Sequence, residues 1–138
     1  LTQLNAYLRF NGNCREAMTF YQSCLGGELN IQTVGESPMA GQMPPAMHNN
    51  VLHSVLAKDG FELMASDMTG PEGVVKGNAV TLCIIESSKA ELEPIFTKLS
   101  AGGTVNTPLT EEFFGTFGDL TDKFGIGWMF QAGGNSNA

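Results

Sequence analysis

Few residues in this chain could carry acid–base or ligand chemistry, and they lie in or beside short apolar runs. His53 stands inside Val51-Leu52-His53-Ser54-Val55-Leu56, where a neutral imidazole can act as acid, base or ligand anchor, and where a hydrogen-bonded structural histidine would look the same. Glu62 stands beside Phe61 at the start of the next run, Phe61 to Ser66; facing inward it could partner His53 as a catalytic pair, and on an exposed edge it is a solvated carboxylate. Tyr7 alternates with the apolar face of the first strand and could offer a phenol to an oxygen-rich ligand. His48, in a Met- and Pro-rich stretch, is expected to be solvent-exposed. Trp128 and Met129 are adjacent in a strand, so one lines any cavity and the other packs in the core. Asp119, Asp122 and Lys123 read as turn chemistry, because Asp bonds its own backbone in turns, and Glu111-Glu112 as a solvated acidic pair. No G-x-S-x-G elbow, P-loop or H-E-x-x-H is present. Cys14, Cys24 and Cys83 form no C-x-x-C and leave an odd thiol, which argues against a disulfide framework or a thiolate zinc site; each is expected to be a small buried hydrophobe.

The elements that must position these residues occur in two similar halves. Asn13-Cys14-Arg15-Glu16 opens a helical stretch that ends in Phe20 and Gly26-Gly27, and Ser88-Lys89-Ala90-Glu91 opens another that ends in Phe96 and Gly102-Gly103. Each pairs a polar N-cap with Glu three residues on, the capping-box pattern, and closes on glycine. Before the first helix, residues 4–10 alternate in the strand period, with Leu4, Ala6, Leu8 and Phe10 on one face and Asn5, Tyr7 and Arg9 on the other. Ala17, Phe20, Tyr21, Cys24 and Leu25 give that helix one apolar stripe. Strands follow at 29–34, 51–57 and 61–66, the last two joined by the hairpin signal Lys58-Asp59-Gly60.

The second half opens with 79–85, an apolar run suited to a strand buried on both faces. Its helix carries Leu92, Ile95, Phe96 and Leu99 on one stripe, and Pro94 inside it must either kink the helix or delay its start. Strands at 105–109, 113–119 and 126–131 complete it, with Gly115 and Gly118 marking bulges or close backbone contacts. The expected fold is therefore α+β, one domain over 1–138 built from two βαβββ modules, about 3–68 and 78–132, with a frayed tail at 133–138. Residues 35–50 stand outside the repeat and carry three of the seven methionines, either as a connection packed on a neighbouring subunit or as a lid over a ligand.

Composition narrows the partners. A net charge of −7 with only seven Lys and Arg disfavours nucleic acid, whose affinity is built from cationic side chains. No run approaches the roughly 18 apolar residues of a membrane span, and no basic-then-apolar leader precedes the first strand, so a cytoplasmic address is expected.

Paired βαβββ modules, the phrase Leu8-Arg9-Phe10-Asn11-Gly12-Asn13-Cys14-Arg15-Glu16-Ala17 with Phe20-Tyr21, then His53 with Leu63-Met64-Ala65-Ser66-Asp67, and the ending from Phe117 to Trp128 together resemble a PhnB-like member of the vicinal oxygen chelate superfamily, the glyoxalase/bleomycin-resistance fold. The resemblance runs from about residue 3 to 132. It implies curled mixed sheets forming a cup, usually closed by dimerisation, and in the metal-dependent members a divalent ion held by His, Gln or Glu from the first and last strands of each module. Carried over, those last-strand positions fall at or near Met64 and Met129, and the first-strand positions near 5–7 and 79–81 hold no His. Thioether sulfur is a poor ligand for the borderline and hard divalent ions, so a divalent metal is disfavoured and no other cofactor is indicated. The methyltransferase label attached to some PhnB-like chains finds no glycine-rich turn after a strand that could cradle S-adenosylmethionine. The expected function is binding of a small molecule in the cup by Tyr7, His53, Met64 and Met129, in a homodimer. The alternatives are a lyase, isomerase or dioxygenase-type enzyme using His53 with Glu62 or a partner-chain carboxylate, and a protein-interaction module with a filled cup.

Overall fold

The computed structural model describes residues 1–133, and its chain divides into two compact units with the break between Val75 and Lys76. The expected flexible tail at 133–138 lies, apart from Gly133, outside the described residues.

The first unit runs β1 (Ala6–Arg9), α1 (Cys14–Leu25), β2 (Glu28–Thr33), β3 (Val51–Lys58) and β4 (Phe61–Ser66), the βαβββ order that alternation and capping signals predict. Its sheet has the order β1-β4-β3-β2, with β1 parallel to β4 and the other pairs antiparallel. The β3–β4 turn is Asp59-Gly60, where Lys58 pairs with Phe61 and Gly60 takes a φ of 101° that a side chain would resist. One face of the sheet receives α1, which packs on β2, β3 and β4. Ala17, Met18, Tyr21 and Cys24 from the helix and Leu56, Leu63 and Ala65 from the strands are buried there, and each large apolar side chain so covered contributes about 1.5–3 kcal/mol. Leu4 remains exposed, because β1 starts only at Ala6.

Asn13 is the N-cap residue of α1, but its side chain makes no cap bond. The expected capping box is replaced by a carboxylate from beyond β4: Asp67 Oδ1 accepts from the backbone N–H of Gly12 (2.8 Å) and of Cys14 (3.0 Å), and Oδ2 accepts from Val51 N–H (2.8 Å). One buried side chain thus ties the start of the helix to the start of β3.

The second unit runs β5 (Leu82–Glu86), α2 (Lys89–Ser100), β6 (Thr104–Glu112), β7 (Gly115–Thr121) and β8 (Gly127–Ala132), with sheet order β5-β8-β7-β6. Leu92 and Leu99 of the helix, with Leu120, Trp128 and Phe130 of the sheet, make its core. Phe96 meets Phe130 edge-on at 4.9 Å. Here the local signal holds: Ser88 Oγ accepts from Glu91 N–H at 3.2 Å. The helix begins where that cap places it and continues through Pro94. Pro94 and Ala90, whose carbonyl loses its intrahelical donor, are both exposed, so water can satisfy the freed group.

Two expectations for this unit are corrected. The run expected to be buried on both faces is an edge strand with alternating burial, and Ile85 is 70% exposed. The strand expected from Phe113 starts at Gly115, because Phe113-Phe114 form the turn between β6 and β7. Gly115 makes that turn possible: its φ is 125°, and a Cβ there would stand 2.6 Å from the Ala132 carbonyl.

Candidate functional site

Side chains of a strand alternate between its faces, so the side of the first sheet opposite α1 follows from the core members. With Ser54, Leu56, Leu63 and Ala65 buried under the helix, the open face takes His53, Val55 and Ala57 from β3 and Glu62 and Met64 from β4. Tyr7 and Arg9 join them from β1, and Glu28, Asn30 and Gln32 from β2. Register then orders these residues into rows. Tyr7 pairs with Met64, Met64 with Val55 and Val55 with Asn30, a central row of phenol, thioether, isopropyl group and amide. On one side of it Arg9 pairs with Ser66, and His53 with Gln32. Because Ser54 pairs with Ala65, His53 stands across from Ser66 in that same row. On the other side Ala57 lies between Glu62 and Glu28.

This arrangement brings Tyr7, His53 and Met64 together. The rings of Tyr7 and His53 lie 6.0 Å apart, tilted by 32°. Among the described residues neither side chain has a hydrogen-bond partner. Every buried side-chain nitrogen or oxygen there is satisfied, so the imidazole nitrogens and the phenol oxygen reach solvent. They can serve a ligand without breaking an internal bond.

Glu62 is not brought to His53. It is exposed and shares the open face, on an interior strand rather than an edge. Ser66, across from His53, is four residues along β4 from Glu62, about 13 Å at strand rise. That separation is far beyond the 2.6–3.2 Å over which a proton is shared.

In the second unit Trp128 and Phe130 are buried, which turns Met129 and Gln131 to the other face. Trp128 is the core member of its pair, and its Nε1–H donates to Asp122 Oδ2 at 2.8 Å. Asp122 Oδ1 also accepts from Phe124 and Ile126 N–H, at 2.8 and 3.0 Å, the expected turn role enlarged by the tryptophan. Met129 pairs with Cys83 on one side and Asp119 on the other. Met64 and Met129 therefore hold corresponding places in the two sheets. Cys83 is exposed, which corrects its expected burial, and partial desolvation raises its pKa. Cys14 and Cys24 are buried.

Two further residues have roles that their neighbours in the chain do not announce. His48, expected in solvent, is half-buried, and its Nε2 lies 2.9 Å from Ala40 O and 3.1 Å from Met43 O. Two carbonyl partners require Nε2 to carry the proton. The imidazole thus closes residues 35–50 on themselves, and their neck is held by Val34 N–H to Asn50 O (2.9 Å) and Gly35 N–H to His48 O (2.9 Å). Arg9 shares the open face with Tyr7 and His53; its alternation with the core positions of β1 was the available signal.

The donor set does not fit the divalent ion that the resemblance implies. Thioethers stand at the two carried-over ligand positions, and among the described residues no group of three or more His, Cys, Asp or Glu is placed to hold an ion.

Comparison with known proteins agrees with this architecture. Residues 2–131 match the family described as 3-demethylubiquinone-9 3-methyltransferase. The chain is 33% identical to protein YjdN of Escherichia coli (strain K12) over 91% of its own length and 92% of that protein. Among solved structures it resembles protein PA1353 from Pseudomonas aeruginosa, with 37% identity, a TM-score of 0.83 and coverage of 98% of this chain and 100% of that one. A PhnB protein from Bacillus cereus follows at 26% identity and a TM-score of 0.75, covering 95% and 99%. A glyoxylase/bleomycin resistance protein/dioxygenase domain from Frankia sp. EAN1pec shares the fold at 16% identity and a TM-score of 0.64, covering 99% and 95%. No helix among the described residues is long and apolar enough to cross a membrane. With two βαβββ modules, a matching family over nearly all its length and the fold of the glyoxalase/bleomycin-resistance proteins, the chain is a PhnB-like member of the family described as 3-demethylubiquinone-9 3-methyltransferase.

Proposed function

We propose that this protein binds a small organic molecule on the open sheet face of its first unit, with His53 and Tyr7 as polar anchors and Met64 and Val55 as the apolar floor. The supporting observation is the Tyr7–His53 ring pair beside Met64, whose polar atoms have no partner among the described residues. A floor of adaptable and apolar side chains with a few convergent polar groups is the usual composition of a ligand site. Met129 provides the corresponding floor position in the second unit. The working form in this reading is a cytoplasmic homodimer, with residues 35–50 as a self-closed flap rather than a free loop.

Binding is favoured over catalysis by the His53–Glu62 pair, which register separates by about 13 Å. The family description names a methyl transfer; the open face offers an imidazole, a phenol and a thioether, which accounts for binding and not for that reaction. The test is a thermal-shift titration of the chelator-treated protein, run with His53→Ala, against small apolar and aromatic compounds and against Zn²⁺, Ni²⁺, Mn²⁺ and Fe²⁺. A saturable metal-independent rise that the substitution weakens is expected; a ligand at a hundred times its Kd stabilises by about 2.7 kcal/mol. A rise that requires metal and is lost with His53→Ala would replace this reading with the metal-enzyme one.

A further inference from the structure

The first unit's open face is chemically polar along its strands, and this extends the proposed binding reading, on which the following rests. At one end the row is Arg9, Ser66, His53 and Gln32; at the other, Glu62 and Glu28 flank Ala57. The central row, Tyr7, Met64, Val55 and Asn30, separates them. Arg9 is exposed, and among the described residues its guanidinium has neither an ion-pair nor a hydrogen-bond partner. In a chain of net charge −7, seven Lys and Arg are spread over the sequence, and of these Arg9 alone sits at a position of the open face fixed by the register of β1 to β4. An arginine presents a planar fork of donors suited to two oxygens of one anionic group. His53, in the same row, adds a ring nitrogen, and the Tyr7–His53 pair offers aromatic surface for a planar body.

We infer that this face selects organic oxyanions, carboxylates or phosphonates joined to a small planar or apolar body, with Arg9 holding the anionic group. The acidic end contributes by exclusion. Glu62 lies about 13 Å along the strands from the Arg9–His53 row, so an anion entering the wrong way round meets carboxylates and the ligand is held in one orientation. Glu62 is thereby a specificity residue in place of a catalytic one. Arg9 and Glu62 are exposed, so substituting either leaves the core intact.

The experiment is an NMR titration of the full-length protein with benzoate, phenylphosphonate and the neutral benzamide, following the His53 and Tyr7 ring resonances. It is carried out on the wild type, Arg9→Gln, Arg9→Lys and Glu62→Gln. In the wild type both oxyanions should bind at least tenfold tighter than benzamide, and added salt should erode that preference. Arg9→Gln should abolish the preference while leaving benzamide binding and Tm unchanged. Arg9→Lys should keep part of it, and Glu62→Gln should strengthen oxyanion binding a few-fold. Equal affinity for all three probes, or a preference indifferent to Arg9→Gln, would overturn the inference and leave a neutral-ligand site standing. Failure of all three probes to perturb His53 and Tyr7 would overturn this inference; the apolar-compound arm of the thermal-shift screen then decides the broader binding reading on its own.

Discussion

The two helices begin with nearly the same sequence signal and solve the same problem differently. Both α1 and α2 present a polar N-cap with Glu three residues on, and both must satisfy backbone N–H groups that have no partner within the helix. At α2 the solution is local, Ser88 Oγ to Glu91 N–H, on an exposed surface. At α1 it comes from Asp67, fifty-three residues beyond Cys14 in sequence and buried, which also accepts from the first residue of β3. A local cap stabilises one helix. A cap supplied by tertiary structure makes the helix, β3 and the end of β4 depend on one another, and so couples the helix to the strands that carry His53 and Met64.

The sharpest way to break that contrast is Asp67→Ala. It would leave three backbone donors, Gly12, Cys14 and Val51, without their acceptor, the last two in a site that water reaches poorly. Unsatisfied buried donors cost about 1–3 kcal/mol each, and some relaxation is inevitable, so a loss of about 3–4 kcal/mol is expected. Urea denaturation would measure it. A loss under 1 kcal/mol would show that the local Asn13 pattern can cap the helix after all.

A smaller effect distinguishes the two helix starts by pH. Cys14, the first residue of α1, lies beneath this cap, with its sulfur 3.6 Å from Ser54 Oγ. The Ser54 hydroxyl proton goes to Ala65 O at 2.8 Å, so the thiol is the donor between them. Burial first, with Asp67 adding to it, pushes this thiol up from 9.0 to about 11. Between those values the unfolded chain releases the proton and the folded chain keeps it. The folded state then binds more protons, and stability falls as pH rises through that window. Below it both states hold the proton and the contribution is complete. The loss should be on the order of 1–2 kcal/mol after allowance for screening. Wild type should therefore lose more stability than Cys14→Ala between pH 9 and 11, with lysine and tyrosine ionisation common to both. Parallel pH profiles would remove Cys14 from the account.

What the sequence made legible follows the range of each interaction. Alternation in β1 set Tyr7 apart from the core face, and adjacency put Trp128 and Met129 on opposite faces, before any contact was known, whereas His53 stood out as a histidine in an apolar run and Met64 was placed by the family resemblance. Register between strands depends on pairing, and it was register that separated Glu62 from His53 and placed Arg9 in His53's row. His48 and Asp67 were harder still, because their partners are backbone groups supplied by chain return: the carbonyls of Ala40 and Met43, and the N–H groups of Gly12, Cys14 and Val51. No spacing rule encodes those. Phe113-Phe114 misled in the opposite direction, since two aromatics favour a strand, while the glycine after them allowed a turn whose first residue is 90% exposed.

The smallest predicted effect completes the comparison from the side of α2. Glu91 is held below the usual carboxylate range by Ser87 first and Ser88 second, through hydrogen bonds from their hydroxyls. A depressed pKa contributes stability that is present above the unfolded value and is lost as pH falls through the folded one, so the α2 cap should weaken on acidification. Ser88→Ala removes the acceptor for Glu91 N–H and one donor to the Glu91 carboxylate, while exposure lets water replace both. The expected cost is about 1 kcal/mol near neutral pH, shrinking as Glu91 protonates. Matched urea melts at pH 7 and pH 3.5 would read it. A cost as large as that of Asp67→Ala would mean that the cap on α2 also reaches into its sheet, and the distinction between a local and a tertiary cap would fail.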